Sequence, residues 1–224
     1  MEKIIFDLVG VITKEIFFAT KVLFPEIRGR ITYNEFKKRY ILYCVGNISN
    51  IEFWENILDL NSVKDFERRF FRNKVKCNIK VVSLIKKLNQ DGFAISLASE
   101  MPQKWGDVIL KNNGIGKTFK RIYYSSNIKH TKPFLKFYDR VFRNLVRHNE
   151  EKTYYVDDTI DNLMAVKKNY PKVKTILYGG AVSDIKLVDF HVSSPDKLKK
   201  IFYDKQQNTV YKTSRNETNN RHRK

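Results

Sequence analysis

Six short apolar runs recur along the chain: Lys3–Leu8, Phe93–Ala98, Arg121–Tyr124, Thr153–Val156, Lys174–Tyr178 and Val188–Val192. Each is rich in Ile, Val, Phe or Tyr and is mostly apolar on both sides of a pleat, the pattern of strands covered on both faces in a parallel sheet. Helical segments separate them. Ile79–Asn89 repeats apolar residues at Ile79, Val82, Ile85 and Leu88, and Pro102 and Pro133 stand where the first turn of a helix accepts proline. Strands alternating with helices imply an α/β fold: a doubly wound, Rossmann-like parallel sheet that binds ligands at the carboxyl ends of its strands.

One stretch breaks the alternation. Residues 16–76 hold helical periodicity and no convincing strand. Thr32-x-x-Glu35 and Ser49-x-x-Glu52 read as capping boxes, and Ser62 with Asp65 is a looser third. The expected organisation is an α/β core from residues 1–15 and 77–202, with a helical cap of residues 16–76 inserted directly after the first strand. Such an insertion leaves the sheet at its carboxyl edge, where a lid over an active site belongs. Residues 203–224 are polar and basic and read as a disordered tail.

Composition narrows the function classes. The 224 residues carry a net charge of +19, with 42% hydrophobic residues, enough for a sizeable core. That charge would draw nucleic acid, anionic membrane or phosphorylated substrates. No compact Lys/Arg cluster interleaved with aromatics stands out, however, so solvated lysine faces account for it better than a nucleic-acid site. Cys44 and Cys77 have no paired spacing and read as free thiols of a reducing, cytoplasmic compartment. The N-terminal apolar run is short and contains Asp7, which fits neither a signal peptide nor a membrane span. "GIGKT" (Gly114–Thr118) lacks the first glycine of a phosphate loop, since Lys111 stands there, and it does not follow a strand. His130, His148, His191 and His222 are scattered without metal-ligand spacing. Phe53, Trp54, Phe70 and Phe71 read as core rather than as a substrate box.

The chemistry gathers at strand ends. Asp7 ends the first run, Ser99 the second, Lys132 follows the third, and Asp157 and Asp158 end the fourth. Alone, Asp7 reads equally well as a turn residue before Gly10, Asp157 and Asp158 as a helix cap, Ser99 as an N-cap and Lys132 as a solvated lysine. Placed in order at four parallel strand ends, they converge on one edge of the sheet. Several carboxylates there are tolerable beside a hard cation, and Mg²⁺ takes one or two carboxylates with backbone oxygen, water and phosphate. A carboxylate nucleophile, a hydroxyl donor and a fixed ammonium would complete a set for phosphoryl transfer.

These motifs resemble the haloacid dehalogenase-like (HAD) phosphatases, and more narrowly the sugar-phosphatase branch with a small helical cap. The resemblance runs from about Lys3 to Lys200: the Asp7 loop, Ser99 in "SLASEMPQKW", Lys132 in "TKPFLKFYDRVF" and "VDDTIDN", with "VGNISNIEFWENI" in the cap and "NNGIGKTFKRIYYS" before the third strand. It implies a Mg²⁺-dependent phosphatase acting on a small phosphorylated metabolite, a sugar phosphate being the branch's example. Asp7 would be the nucleophile and a metal ligand, Ser99 and Lys132 would bind the phosphoryl group, Asp158 would ligate Mg²⁺, and Asp157 would support it directly or through water. Two positions depart from the family. Val9 can offer its backbone carbonyl to the metal but not the carboxylic acid that normally protonates the leaving group. Glu100 replaces the usual asparagine at the substrate-binding position beside Ser99, and an acid there is expected to point away from a phosphate. These departures keep open a catalytically inactive binding or regulatory protein of the same fold. A dehalogenase proper uses no metal, and the paired acids argue against it.

Overall fold

The computed structural model describes residues 2–143, 152–180 and 187–204. Within them the six apolar runs become β1 (Lys3–Phe6), β2 (Ala94–Ser99), β3 (Arg121–Tyr124), β4 (Thr153–Asp157), β5 (Val173–Tyr178) and β6 (Phe190–Val192). They form one sheet in the order β3-β2-β1-β4-β5-β6, every neighbouring pair parallel. The pleat sends Ile4 and Phe6 into one apolar cluster and Ile5 into a second on the opposite face. The chain leaves β1 toward β2 and β3 on one side, then fills β4, β5 and β6 on the other. A crevice therefore opens where the order reverses, at the carboxyl ends of β1 and β4.

The α-helices among the described residues are α1 (Tyr33–Cys44), α2 (Asn50–Trp54), α3 (Val63–Asn73), α4 (Ile79–Gln90), α5 (Gln103–Asn112), α6 (Ser125–Ile128), α7 (Leu135–Phe142), α8 (Ile160–Asn169) and α9 (Pro195–Tyr203). None is long and apolar enough to cross a membrane. Pro102 and Pro133 precede α5 and α7 rather than occupying their first turns; Pro102 is extended, with ψ 134°. The sixth strand is shorter than its apolar run because Asp189 turns its carboxylate onto β5, accepting from Thr175 N and Oγ1 at 2.9 Å each. Tyr203, assigned from sequence to the tail, closes α9 and donates to Asp91; residues 205–224 lie outside the described residues.

Residues 14–76 contain helices and turns but no strand. Their two ends meet in an antiparallel bridge between Thr13 and Cys77, reinforced by Lys14 N to Lys76 O and Asn78 N to Ile12 O, both 2.8 Å. Ser49 and Glu52 form a reciprocal capping box at α2, and the Thr32 hydroxyl accepts from Glu35 N at α1. Ser62 does not cap α3; that helix is entered from a turn in which Asp59 Oδ1 accepts from Asn61 N at 3.0 Å. Phe53, Trp54, Phe70 and Phe71 are buried. Trp105 of α5 sits among Phe18, Tyr40, Tyr43, Phe53, Trp54 and Phe71, with ring centroids 4.9–6.3 Å away.

A buried carboxylate locks this aromatic layer. Glu67 Oε1 accepts from Trp54 Nε1 (2.8 Å), Trp105 Nε1 (2.6 Å) and Asn50 Nδ2 (2.7 Å), and Oε2 pairs with Lys104 Nζ at 2.9 Å. Burial alone would raise its pKa, but these bonds outweigh it and hold the carboxyl below its usual range. Cys44 and Cys77 are buried free thiols.

Candidate active site

Asp7 follows β1 directly. Its N–H donates to Val156 O at 2.9 Å, extending the β1–β4 ladder by one step, so its carboxylate lands beside that of Asp157 at the crevice. The chain then folds into one tight turn, Leu8–Ile12, closed by Thr13 N to Leu8 O at 2.8 Å. Val9 is extended within it (φ −78°, ψ 130°) and Gly10 takes φ +79°. Gly10 is required twice over. Its φ disfavours any side chain, and a Cβ there would fall 2.0 Å from Asp158 Oδ2. The backbone of this turn and the Asp158 carboxylate thus pack directly against each other.

Lys132 is the charge at the centre. Its buried Nζ lies 2.8 Å from Asp7 Oδ1 and 2.7 Å from Asp157 Oδ2, and 5.5 Å from the Tyr155 ring centroid. Burial disfavours the ammonium, but the charges of Asp157 and Asp7 together outweigh it and hold Lys132 well above the usual lysine range. Asp7 moves the other way for its class. Burial raises its pKa most, Asp157 and Asp158 raise it further, and Lys132 opposes them.

The two adjacent aspartates have different surroundings. Asp157 is fully buried, and both its oxygens are occupied. Oδ1 accepts from Thr159 N (2.9 Å) and Asn162 Nδ2 (3.0 Å), while Oδ2 accepts from Lys132 Nζ and the Tyr155 hydroxyl. Four donors use about all the acceptor capacity of a carboxylate. Asp158 is half-buried, with a single side-chain bond, from Thr159 Oγ1 at 3.3 Å. Burial first, then Asp157, pushes its carboxyl up to about 6. Tyr155 and Asn162 are contributors that the strand-end pattern does not reveal. The signal available for Asn162 is a polar residue at a buried position of α8.

Asp7, Val9, Ser99, Glu100 and Asp158 line one cavity of about 520 Å³, within the usual range for small-molecule sites. Ser99 is fully buried, and its Oγ has no hydrogen-bond partner among the described residues. Such an orphan costs stability unless a ligand or solvent completes it. Glu100 does not turn away as expected. It lines the cavity, and burial of its carboxyl, with Asp157 and Asp158 adding and Lys132 opposing, pushes it up to about 7. The residue as a whole remains exposed to solvent.

The donor set suits a hard cation. One oxygen from each of Asp7, Asp157 and Asp158 lies within 4.8 Å of the others. Three carboxylates and one ammonium leave excess negative charge that a divalent cation would neutralise, and all the donors are oxygen, as Mg²⁺ requires. Since Asp157 is saturated, Asp7 and Asp158 are the carboxylates with acceptor capacity to spare.

Over residues 4–176 the chain matches the family described as haloacid dehalogenase-like hydrolase. No curated protein matches it in sequence. Solved structures share the fold at low identity. A HAD phosphatase of Thermococcus onnurineus superposes with a TM-score of 0.64 at 15% identity, covering 91% of this chain and 98% of that one. YfnB of Bacillus subtilis, assigned as a HAD-hydrolase and solved bound to magnesium, gives 0.60 at 16%, covering 90% and 98%. L-2-haloacid dehalogenase of Xanthobacter autotrophicus, with chloropropionic acid covalently bound, gives 0.61 at 11%, again covering 90% and 98%. Similarity at this level speaks for the fold and not for a shared substrate.

Proposed function

The chain belongs to the haloacid dehalogenase-like hydrolase family, and on that premise we propose that it is a Mg²⁺-dependent phosphatase of a small phosphate monoester, working through a phosphoryl group carried on Asp7. The observation that carries this reading is the Asp7 carboxylate held 2.8 Å from a buried ammonium, at a cavity that Ser99, whose buried hydroxyl is unpartnered among the described residues, also lines. Residues 1–15 and 77–202 serve as the core, and residues 16–76 as a cap over that cavity.

Each residue has a chemical task. An Asp7 carboxylate oxygen attacks phosphorus, and the bond from phosphorus to the ester oxygen breaks with its electron pair leaving on that oxygen. Lys132 offsets negative charge on the phosphoryl oxygens and opposes the burial that raises the pKa of Asp7. Ser99 donates its hydroxyl to the same oxygens. Water then attacks the phosphorus of the acyl phosphate, releasing inorganic phosphate and restoring Asp7. Asp7, Asp158 and the Val9 carbonyl would hold Mg²⁺, which supplies charge neutralisation at the phosphoryl group. Asp157, occupied by four donors, orients Lys132 and the turn at Thr159 and serves the metal as a supporting residue.

Val9 carries no proton for the departing oxygen. Substrates whose leaving group is stable as an anion should therefore react best. The test is p-nitrophenyl phosphate turnover in Mg²⁺ and in EDTA. Asp7→Asn is expected to abolish it, and turnover unchanged in that variant would refute the mechanism. A second reading, a metal-binding protein of the same fold without catalysis, rests on Val9 and Glu100. Mg²⁺-dependent thermal stabilisation with no turnover across a broad phosphate panel would favour it.

A further inference from the structure

The walls of the cavity above Asp7 are unlike what a sugar would need. Ten large apolar side chains are exposed among the described residues, and four of them line this one cavity: Ile16 (57%), Phe17 (55%), Ile41 (50%) and Phe134 (64%). Ala19 and Tyr40 continue the apolar surface inward. Exposed apolar residues scattered singly are ordinary, but a contiguous set rimming a pocket marks a binding surface. Here the set is continuous with the carboxylates and the hydroxyl that would hold a phosphoryl group, so its occupant is the group esterified to that phosphate.

Charge narrows the occupant further. The chain has 43 Lys and Arg residues, yet no described lysine or arginine lines the cavity. Lys21 is nearby but sits over the Phe17 ring, 4.7 Å from its centroid, outside the lining. Glu100 adds a carboxyl, not a cation, to the wall. A second phosphate or carboxylate on the substrate would find an acid and no described lysine or arginine in the lining. A sugar's ring of hydroxyls would find few partners on the rim itself, since away from the strand-end residues the polar side chains of the wall are Thr20, Tyr40, Cys44 and Thr131.

We infer that the substrate is a monophosphate ester of an uncharged, apolar alcohol, its hydrocarbon part held by the Ile16–Phe17–Ile41–Phe134 rim while the phosphoryl group meets Asp7. This rests on the phosphatase reading and sharpens it from any small phosphorylated metabolite to one class.

The test is binding of a homologous series of n-alkylphosphonates, ethyl to octyl, to the full chain in Mg²⁺, followed by calorimetry. The head group is constant, so the ratio of dissociation constants isolates the tail. Affinity is expected to rise about two- to fourfold per methylene, below or up to the full-burial value because the rim is open to solvent. Ile41→Ser and Phe134→Ser should flatten that slope. Both residues are at least half exposed, so the fold tolerates the change. A flat series from ethyl to octyl would overturn the inference while leaving the phosphatase reading intact. So would a slope that neither variant alters. Failure of every phosphonate to bind, short or long, would overturn the phosphatase reading and the inference with it.

Discussion

Lys132→Met removes the buried ammonium with little change of volume, and its consequence follows from two distances. Nζ lies 2.8 Å from Asp7 and 2.7 Å from Asp157. At an effective dielectric of about 20, each contact of this length carries roughly 6 kcal/mol of Coulomb attraction, part of which is cancelled by the cost of burying the ion. Removing one partner of a buried pair typically costs about 3–5 kcal/mol net. For a chain of this length that corresponds to a fall in Tm of roughly 6–20 °C. The assay is thermal or urea unfolding in EDTA at pH 7.5. Because the loss arises from carboxylates without a counter-ion, it should shrink as pH falls and they protonate. Asp157→Asn on the Lys132→Met background returns the cluster to its original net charge. The double variant should therefore be more stable than the two single losses added together by roughly 1–3 kcal/mol. A Lys132→Met protein within about 1 kcal/mol of the parent at pH 7.5, or strictly additive losses, would refute the view that Lys132 holds this cluster together.

Three further outcomes are expected. Val9→Asp should raise kcat on simple alkyl phosphates by roughly 10²–10⁴-fold, with a much smaller gain on p-nitrophenyl phosphate; equal gains on both would show that leaving-group protonation is not what position 9 lacks. Gly10→Ala should cost about 1–2 kcal/mol through its left-handed backbone and displace Asp158, whose Oδ2 lies 2.0 Å from the new Cβ. Its Mg²⁺-induced thermal shift should weaken accordingly, and a Mg²⁺ titration like the parent's would contradict that geometry. Finally, Asp158 is raised from 3.8 to about 6 in the folded protein, so the native state binds its proton more tightly than the unfolded one. This contribution to stability is full below pH 3.8 and lost as pH rises through about 6, up to about 2–3 kcal/mol in EDTA. Mg²⁺ should reverse that decline, and Asp158→Asn should reduce it, leaving the part that Asp7 and Glu100, raised likewise, contribute. Metal-free unfolding curves that stay level from pH 4 to 7 would sink the assignment.

Much of this protein is local in origin. Period-2 and period-3.6 patterns report which side of an element meets the core, so the six strands, the helical stretch after β1 and the ends at Asp7, Ser99 and Asp157 are all legible without coordinates. Capping at Thr32 and Ser49 is legible for the same reason, because donor and acceptor are three residues apart. Ser62 fails by the same rule, since a preceding turn changes how the helix is entered. The strand ends converge because a parallel sheet brings its carboxyl edges to one side whatever the side chains are.

What depends on distant residues is not legible. Asp157 and Asp158 are neighbours in sequence, and no local pattern separates them. They differ because Lys132, Tyr155, Thr159 and Asn162 occupy all of one carboxylate and only a threonine hydroxyl reaches the other. Glu67 is one acid among many on a polar helix until Trp54, Asn50, Lys104 and Trp105 close around it. That Glu100, Ile16, Phe17, Ile41 and Phe134 line one cavity depends on segments far apart in sequence meeting there. Hydrophobic patterning determines which elements form and which faces they bury. Only the tertiary packing decides which polar groups saturate each other and which are left to meet a ligand.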